Sequence, residues 1–442
     1  MMSRSTLLGA VSILALGGLA ASAASAQTTL TIATVNNGDM IRMQGLTDGF
    51  TSANPDIKLE WVTLEENVLR QRVTTDIATK GGQYDVMTIG NYEVPIWAKQ
   101  GWLEPLEGMP DGYDADDLLP AIANGLSVDG KLYAAPFYGE SGMVMYRTDL
   151  AEKAGVTIPD KPNWAQIKEA AAAMTDKDAE VYGICLRGKA GWGENMAFLT
   201  AMAHSMNARW FDMDWKPQFD SPEWKETLAD YLDMMENYGP PGASSNGFNE
   251  NLALFQQGKC GMWIDATVAA SFVTDPNEST VADNVGYAQF PNKAGNEGRG
   301  EWLWSWNLAI PAGSQKVDAA KKFVAWATSK DYTALVAEKE GWRAAPPGTR
   351  TSLYENEDYK KAAPFAEMTI NAINGVDLAH PTSQEVPYIG SQWVAIPEFQ
   401  GIGTAVGQQF SAALAGQVSA DQALQSAQQL TEREMAKAGY PK

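Results

Sequence analysis

The 442-residue chain has two cysteines and two histidines, and these scarcities exclude several kinds of protein. Cys185 and Cys260 permit one disulfide in an oxidising compartment, so the fold cannot rest on a disulfide framework. The sequence leaves both a bridge and two buried thiols open. His204 and His380 lie far apart and lack HxxxH or HExxH spacing, so no metal site is expected and each reads as structural. No long run of Lys and Arg interrupts a chain whose formal net charge is -21, which disfavours nucleic acid and anionic lipid as partners. After the amino-terminal region no segment approaches the ~20 apolar residues of a membrane-spanning helix.

Residues 1–26 read as an export signal. Arg4 is the sole early charge, an apolar stretch follows from Leu7, and Ala24-Ser25-Ala26 offers the small-x-small pattern of a cleavage site. The mature chain is expected to begin near Gln27. With no cysteine after the cleavage region, a free periplasmic protein is expected rather than a lipid-tethered one. Its length and 45% apolar content suffice for two cores.

From Thr29 to Val35 a β-branched run ends at Asn36-Asn37-Gly38, and a helical pattern follows from about Met40 to Ala53. Strand Ile57 to Val62, helix Asn67 to Lys80 and strand Tyr84 to Ile89 repeat the order, which predicts a parallel sheet covered by helices on both faces. In such α/β sheets ligands lie beyond the carboxyl ends of strands, where Asn36, Asn37, Asn91 and Tyr92 fall. Asn163 and Ser221 read as helix caps, and a strand from Cys260 carries Asp265 toward its polar end.

The segment Gly300-Glu301-Trp302-Leu303-Trp304-Ser305-Trp306-Asn307 is the most informative. Strand periodicity puts Trp302, Trp304 and Trp306 on one face, where indoles would meet the C–H faces of a polyhydroxylated molecule and donate N–H to its hydroxyls. The alternative is that some of the 15 tryptophans here are core residues. Polar candidates near glycines or strand ends are Asn37, Asn91, Tyr138, Glu140, Glu194, Asn195, Asp265 and Arg343, each equally readable singly as a cap, turn former or surface group. Enzyme signatures are weak. Gly139-Glu140-Ser141-Gly142 lacks the glycine spacing of a nucleophile elbow, and Gly401 to Gly407 reads as a helix start rather than a dinucleotide loop. No cofactor is implied, and a secreted glycan-cleaving enzyme with an aromatic groove stays as the alternative function.

Several landmarks resemble the extracytoplasmic solute-binding proteins of carbohydrate ABC importers, the group that includes maltose-binding protein. They are Tyr84-Asp85-Val86, Gly101-Trp102-Leu103-Glu104-Pro105-Leu106, Gly130 to Phe137, Met143 to Leu150 with Arg147 where Asn or Asp is usual, Phe255 to Lys259, Asn307 to Pro311 and Ala319 to Val324. The resemblance implies a two-lobed periplasmic-binding-protein fold of type II. Its lobes would be 27–137 plus 303–345 and 138–302 plus 346–442, joined by three crossings near Pro136 to Gly139, Arg299 to Trp302 and Arg343 to Gly348. It also implies a monomer that binds a polyol or sugar by hinge closure and works with inner-membrane permease subunits. Trp304-Ser305 stands where the family usually has Gly-Gly, implying a narrowed pocket for a short ligand. The segments Arg187 to Asn195, which includes Trp192 and Glu194, and Asp265 to Val268 look like those of mannitol- and sorbitol-binding proteins. Arg187 and Lys189 can equally be surface charges and stay outside the expected site.

Overall fold

In the computed structural model, which describes residues 27–110, 112–295, 300 and 302–441, the β-branched run after Gln27 forms β1 (Thr28–Val35). The expected export signal, residues 1–26, lies outside the described residues, as does Arg299 at the second expected crossing. β2 (Ile57–Leu64) pairs with β1 in parallel over its whole length, and β3 (Val86–Gly90) joins the other side of β1, also in parallel. Helix Glu66–Thr79 makes the crossover, its start fixed by the Glu65 carboxylate accepting from the Val68 N–H. The single helix expected from Met40 is divided into Gly38–Gly45 and Asp48–Thr51, because glycine at 45 and 49 weakens propagation.

β4 (Ser127–Val128) and β5 (Lys131–Leu132) form a small hairpin that precedes β6 (Ala134–Glu140). Only Ser141 separates β6 from β7 (Gly142–Arg147), where the chain enters a second sheet completed by β8 (Tyr182–Cys185), β9 (Cys260–Ala266) and β10 (Val285–Gln289), in the order β10-β7-β9-β8. β11 (Trp304–Ala309) then returns to the first sheet, whose order is β2-β1-β3-β11-β6. The expectation of a wholly parallel sheet is corrected here, since β11 runs antiparallel to both β3 and β6. Strand–helix alternation dictates parallel neighbours only while the crossover stays in one layer, and β11 arrives from the other sheet.

Each sheet carries helices and forms one lobe. The expected caps operate: Asn163 and Gln166 form a reciprocal capping box, and Ser221 caps Pro222–Tyr238. Helix Phe399–Leu414 runs through the Gly401 to Gly407 segment. Much of the tryptophan is core. Trp210 and Trp224 are fully buried among Phe219, Phe399 and Phe410 and donate their N–H groups to Thr200 Oγ1 and the Arg209 carbonyl.

Cys185 and Cys260 form a buried disulfide with Cα atoms 5.9 Å apart, tying the end of β8 to the start of β9. The loop it closes, 75 residues in sequence separation, carries Arg187, Lys189, Trp192 and Glu194. Loop-closure entropy assigns such a bridge about 4 kcal/mol. The double variant C185A/C260A should therefore unfold with about 2–4 kcal/mol less free energy in non-reducing urea titrations, and dithiothreitol should lower the midpoint of the wild type but not of the variant.

Candidate functional site

A cavity of about 150 Å³ lies between the lobes. Pockets for drug-sized ligands begin at about 300 Å³, whereas about 150 Å³ is the volume of an engineered cavity that holds benzene, so the space suits a small molecule and excludes an oligosaccharide. The first lobe contributes Asn37, Glu66, Arg70, Tyr138 and Glu140; the second contributes Arg187, Lys189, Trp192, Glu194 and Phe248. Trp302, Trp304, Trp306 and Gln392 also line it, with Glu65 and Glu250 among the remainder.

The tryptophan wall is built around a cation. Arg70, on the helix after β2, is buried with its guanidinium 4.0 Å from the ring centre of Trp192, 4.7 Å from Trp306 and 4.8 Å from Trp304. Its N–H groups donate to Glu66 Oε1 (3.0 and 2.7 Å) and Glu93 Oε1 (3.0 Å), while Glu93 Oε2 accepts from the Gly90 N–H. Trp304 and Trp306 meet edge to face at 5.4 Å, and Trp192 meets Trp304 likewise at 5.7 Å. Faces expected to meet ligand are thus turned to Arg70, a desolvated contact worth about 2 kcal/mol. Trp302 precedes β11 and packs toward Phe290. At the end of β3, a Cβ on Gly90 would sit 1.9 Å from the Trp304 ring, so only glycine lets this indole reach its place.

Arg187 is held by Asp265 in a buried bidentate pair, Nε to Oδ2 at 2.9 Å and an Nη to Oδ1 at 2.7 Å, and donates to the Gly193 carbonyl. Lys189 bridges Glu65 of the first lobe at 2.5 Å and Glu194 at 3.4 Å. Asn67 donates to the Ala190 carbonyl and Asn249 to the Asn36 carbonyl, so hydrogen bonds cross the cleft on either side of the cavity. Asn37 caps helix Gly38–Gly45 through Oδ1 and donates to the Tyr138 hydroxyl at 2.8 Å, leaving the phenolic proton available.

Several buried polar atoms in the lining have no hydrogen-bond partner among the described residues: Trp192 Nε1, Trp302 Nε1 and Glu194 Oε2, the last lying 3.7 Å from the Arg187 guanidinium. Glu140 also accepts no hydrogen bond from any described residue, and burial holds its carboxyl well above the usual carboxylate range. Burial, reinforced by Glu66, pushes Glu194 up to about 7, and burial raises Asp39 to about 6 against the pull of Arg42. Each orphaned group costs about 1–3 kcal/mol until something bonds to it.

Eight expected site residues line the cavity: Asn37, Tyr138, Glu140, Trp192, Glu194, Trp302, Trp304 and Trp306. Five do not, and each is occupied elsewhere. Asn91 staples the end of β3 to the Leu303 carbonyl and the Ser305 N–H. The Tyr92 hydroxyl donates to the Ile396 carbonyl while its ring packs on Trp192. Asn195 bonds the Gly191 N–H and the Gly407 carbonyl. Both Asp265 oxygens are taken, by Arg187, Trp263 Nε1 and the Ala266 N–H. Arg343 pairs with Asp275 at 3.1 Å. Sequence reasoning set Arg187 and Lys189 aside as possible surface charges and missed Glu66, Arg70, Phe248 and Gln392. Arg187 stands two residues beyond the end of β8, so the strand-end rule that selected Asn91 could have found it. Among the described residues, no His, Cys, Asp and Glu cluster could hold a metal ion, and no helix is long and apolar enough to cross a membrane.

Gly90→Ala should displace Trp304, loosen the Arg70 cage and lower stability by about 1–3 kcal/mol, the usual cost of overpacking, read by urea denaturation. The raised pKa of Glu194 also has a signed consequence. Between its unfolded value of about 4.5 and about 7, the native state binds more protons than the unfolded chain, so its contribution to stability falls as pH rises through that window. The free-energy difference between wild type and Glu194→Gln should accordingly shift against the wild type from pH 4.5 to 7. A difference that is flat with pH would contradict it.

A family model described as bacterial extracellular solute-binding protein matches residues 37–334. The mannitol-binding protein of Pseudomonas aeruginosa is 58% identical over 414 residues, 94% of each chain. A crystal structure of an ABC transporter solute-binding protein from Agrobacterium vitis S4 with bound D-mannitol has a TM-score of 0.93 and 73% identity over 94% of this chain and all of that one. Maltose-bound MalE3 of T. maritima, at 22% identity, shares the fold with a TM-score of 0.77, covering 92% of this chain and 99% of that one. The two-lobed type II architecture expected from the sequence is therefore the fold of this chain. The two most similar of these relatives are solute-binding proteins, not enzymes, which sets aside the glycan-cleaving alternative. The chain belongs to the family of bacterial extracellular solute-binding proteins.

Proposed function

We propose that this protein binds a short neutral alditol, D-mannitol foremost, between its lobes and, as a periplasmic monomer exported by cleavage after Ala26, presents the closed form to the permease subunits of an ABC importer. The observation that carries this reading is the set of buried atoms without a hydrogen-bond partner among the described residues, Trp192 Nε1, Trp302 Nε1 and Glu194 Oε2, around a cavity of about 150 Å³. A linear alditol bears on every carbon a hydroxyl that both donates and accepts, which is what two indole N–H groups and two acids need. The D-mannitol bound to the Agrobacterium vitis protein and the name of the Pseudomonas aeruginosa relative support the same ligand.

Closure follows from where the contacts lie. Ligand held by one lobe gains the partners of the other only in the closed state, so its binding energy shifts the population toward that state. With β6 belonging to the first sheet as far as Glu140, the first crossing falls at Ser141 rather than after Phe137, and the pivot lies where Gly139 and Gly348 meet. The Gly139 N–H donates to the Pro347 carbonyl at 2.9 Å, and a Cβ on Gly139 would lie 2.3 Å from the Gly348 carbonyl oxygen. Two backbones in such contact can turn on each other without a side chain between them.

Isothermal titration calorimetry tests the reading. D-mannitol should bind with a Kd of about 1 μM or tighter, which corresponds to about -8 kcal/mol, and maltose should not bind. Trp192→Ala and Glu194→Ala should each weaken mannitol by about 1–3 kcal/mol. Maltose binding tighter than mannitol, or neither variant changing the affinity, would contradict it.

A further inference from the structure

The charges around the cavity do not balance. Among the described residues five carboxylates line it, Glu65, Glu66, Glu140, Glu194 and Glu250, against three cations, Arg70, Arg187 and Lys189. Each of these cations is already engaged: Arg70 with Glu66 and Glu93, Arg187 with Asp265 and Glu194, and Lys189 with Glu65 and Glu194. Glu250 is committed too, accepting from the Gly247 N–H at the start of its helix. Glu140 is left over. It ends β6 opposite Trp304, is 6% exposed and lines the cavity, and its carboxyl has no hydrogen-bonding partner among the described residues.

We propose that the same cavity accepts amino-alditols, polyol chains bearing a primary ammonium, with Glu140 as the residue that selects for the positive charge. This rests on the alditol reading above and extends it to a second ligand class. A neutral alditol meets Glu140 as a carboxylic acid, because burial disfavours its charge. An ammonium supplies the missing counter-charge and three donors, so the carboxyl ionises on binding, gives its proton to solvent and forms a charge-assisted hydrogen bond. Among the described residues the cavity has no unpaired cation to receive an anion, so a carboxylate-bearing analogue is rejected by the same imbalance.

A matched series separates charge from shape: D-glucitol, 1-amino-1-deoxy-D-glucitol and D-gluconate, each titrated by calorimetry at pH 7 beside D-mannitol. The wild type should bind the amine about tenfold tighter than D-glucitol and D-gluconate at least a hundredfold more weakly. In Glu140→Gln the amine-to-glucitol preference should vanish, while Glu140→Asp, which keeps the charge, should retain most of it. An amine that binds the wild type no tighter than D-glucitol overturns the proposal without reference to any variant, as does a preference that survives in Glu140→Gln. D-mannitol failing to bind would instead overturn the alditol reading itself, so the two failures are distinguishable.

Discussion

The buried guanidinium of Arg70 is the constraint to which the rest of the site conforms. Removing a cation from water costs several kcal/mol unless charge and hydrogen bonds replace the lost solvent. Glu66 and Glu93 supply both, and three indole faces supply the remainder of the shell. Two of those indoles come from β11 of the first lobe, and the third, Trp192, comes from the second. The cation is fully enclosed only when the lobes meet. Glycine at 90 is part of the same construction, because the Trp304 ring occupies the space a side chain would fill.

Around that centre each lobe fixes its own half before any ligand enters. In the second lobe the Cys185–Cys260 bridge and the Arg187–Asp265 pair connect β8, the segment after it and β9. In the first, Asn91 fastens β3 to the approach of β11, and Asn37 joins a helix start to Tyr138. The groups left unsatisfied in the lining oppose closure of the empty protein by about 1–3 kcal/mol each. Cross-cleft bonds such as Lys189 to Glu65 act in the other direction, though this pair is part-exposed and weakened by salt. Ligand hydroxyls remove the opposition, which is how a small neutral molecule can decide between two states of a large protein.

The sequence is legible where a rule of local structure applies. Alternating strand and helix place β1, β2 and β3, turn residues mark the strand ends facing the cavity, and the Trp302 to Trp306 segment points to its aromatic wall. What stays hidden depends on distant partners. Glu66 and Arg70, four apart on a helix, look in sequence like a solvated surface pair; Arg70 is buried and Glu66 half-buried because Trp192 and β11 close over them. Asp265 and Asn91 do lie near the site, but sequence cannot tell that Arg187 consumes one and the β11 backbone the other. Even the tryptophans illustrate this: period-two spacing gives Trp304 and Trp306 a common environment but does not reveal that a cation occupies their faces.

The most direct measurement is a crystal structure of the protein with D-mannitol. Arg70 should remain on the faces of Trp192, Trp304 and Trp306, with mannitol hydroxyls within hydrogen-bond distance of Trp192 Nε1, Trp302 Nε1 and the Glu194 carboxyl. A ligand stacked flat on Trp304 or Trp306 with Arg70 displaced, or bound outside the interlobe cavity, would contradict it.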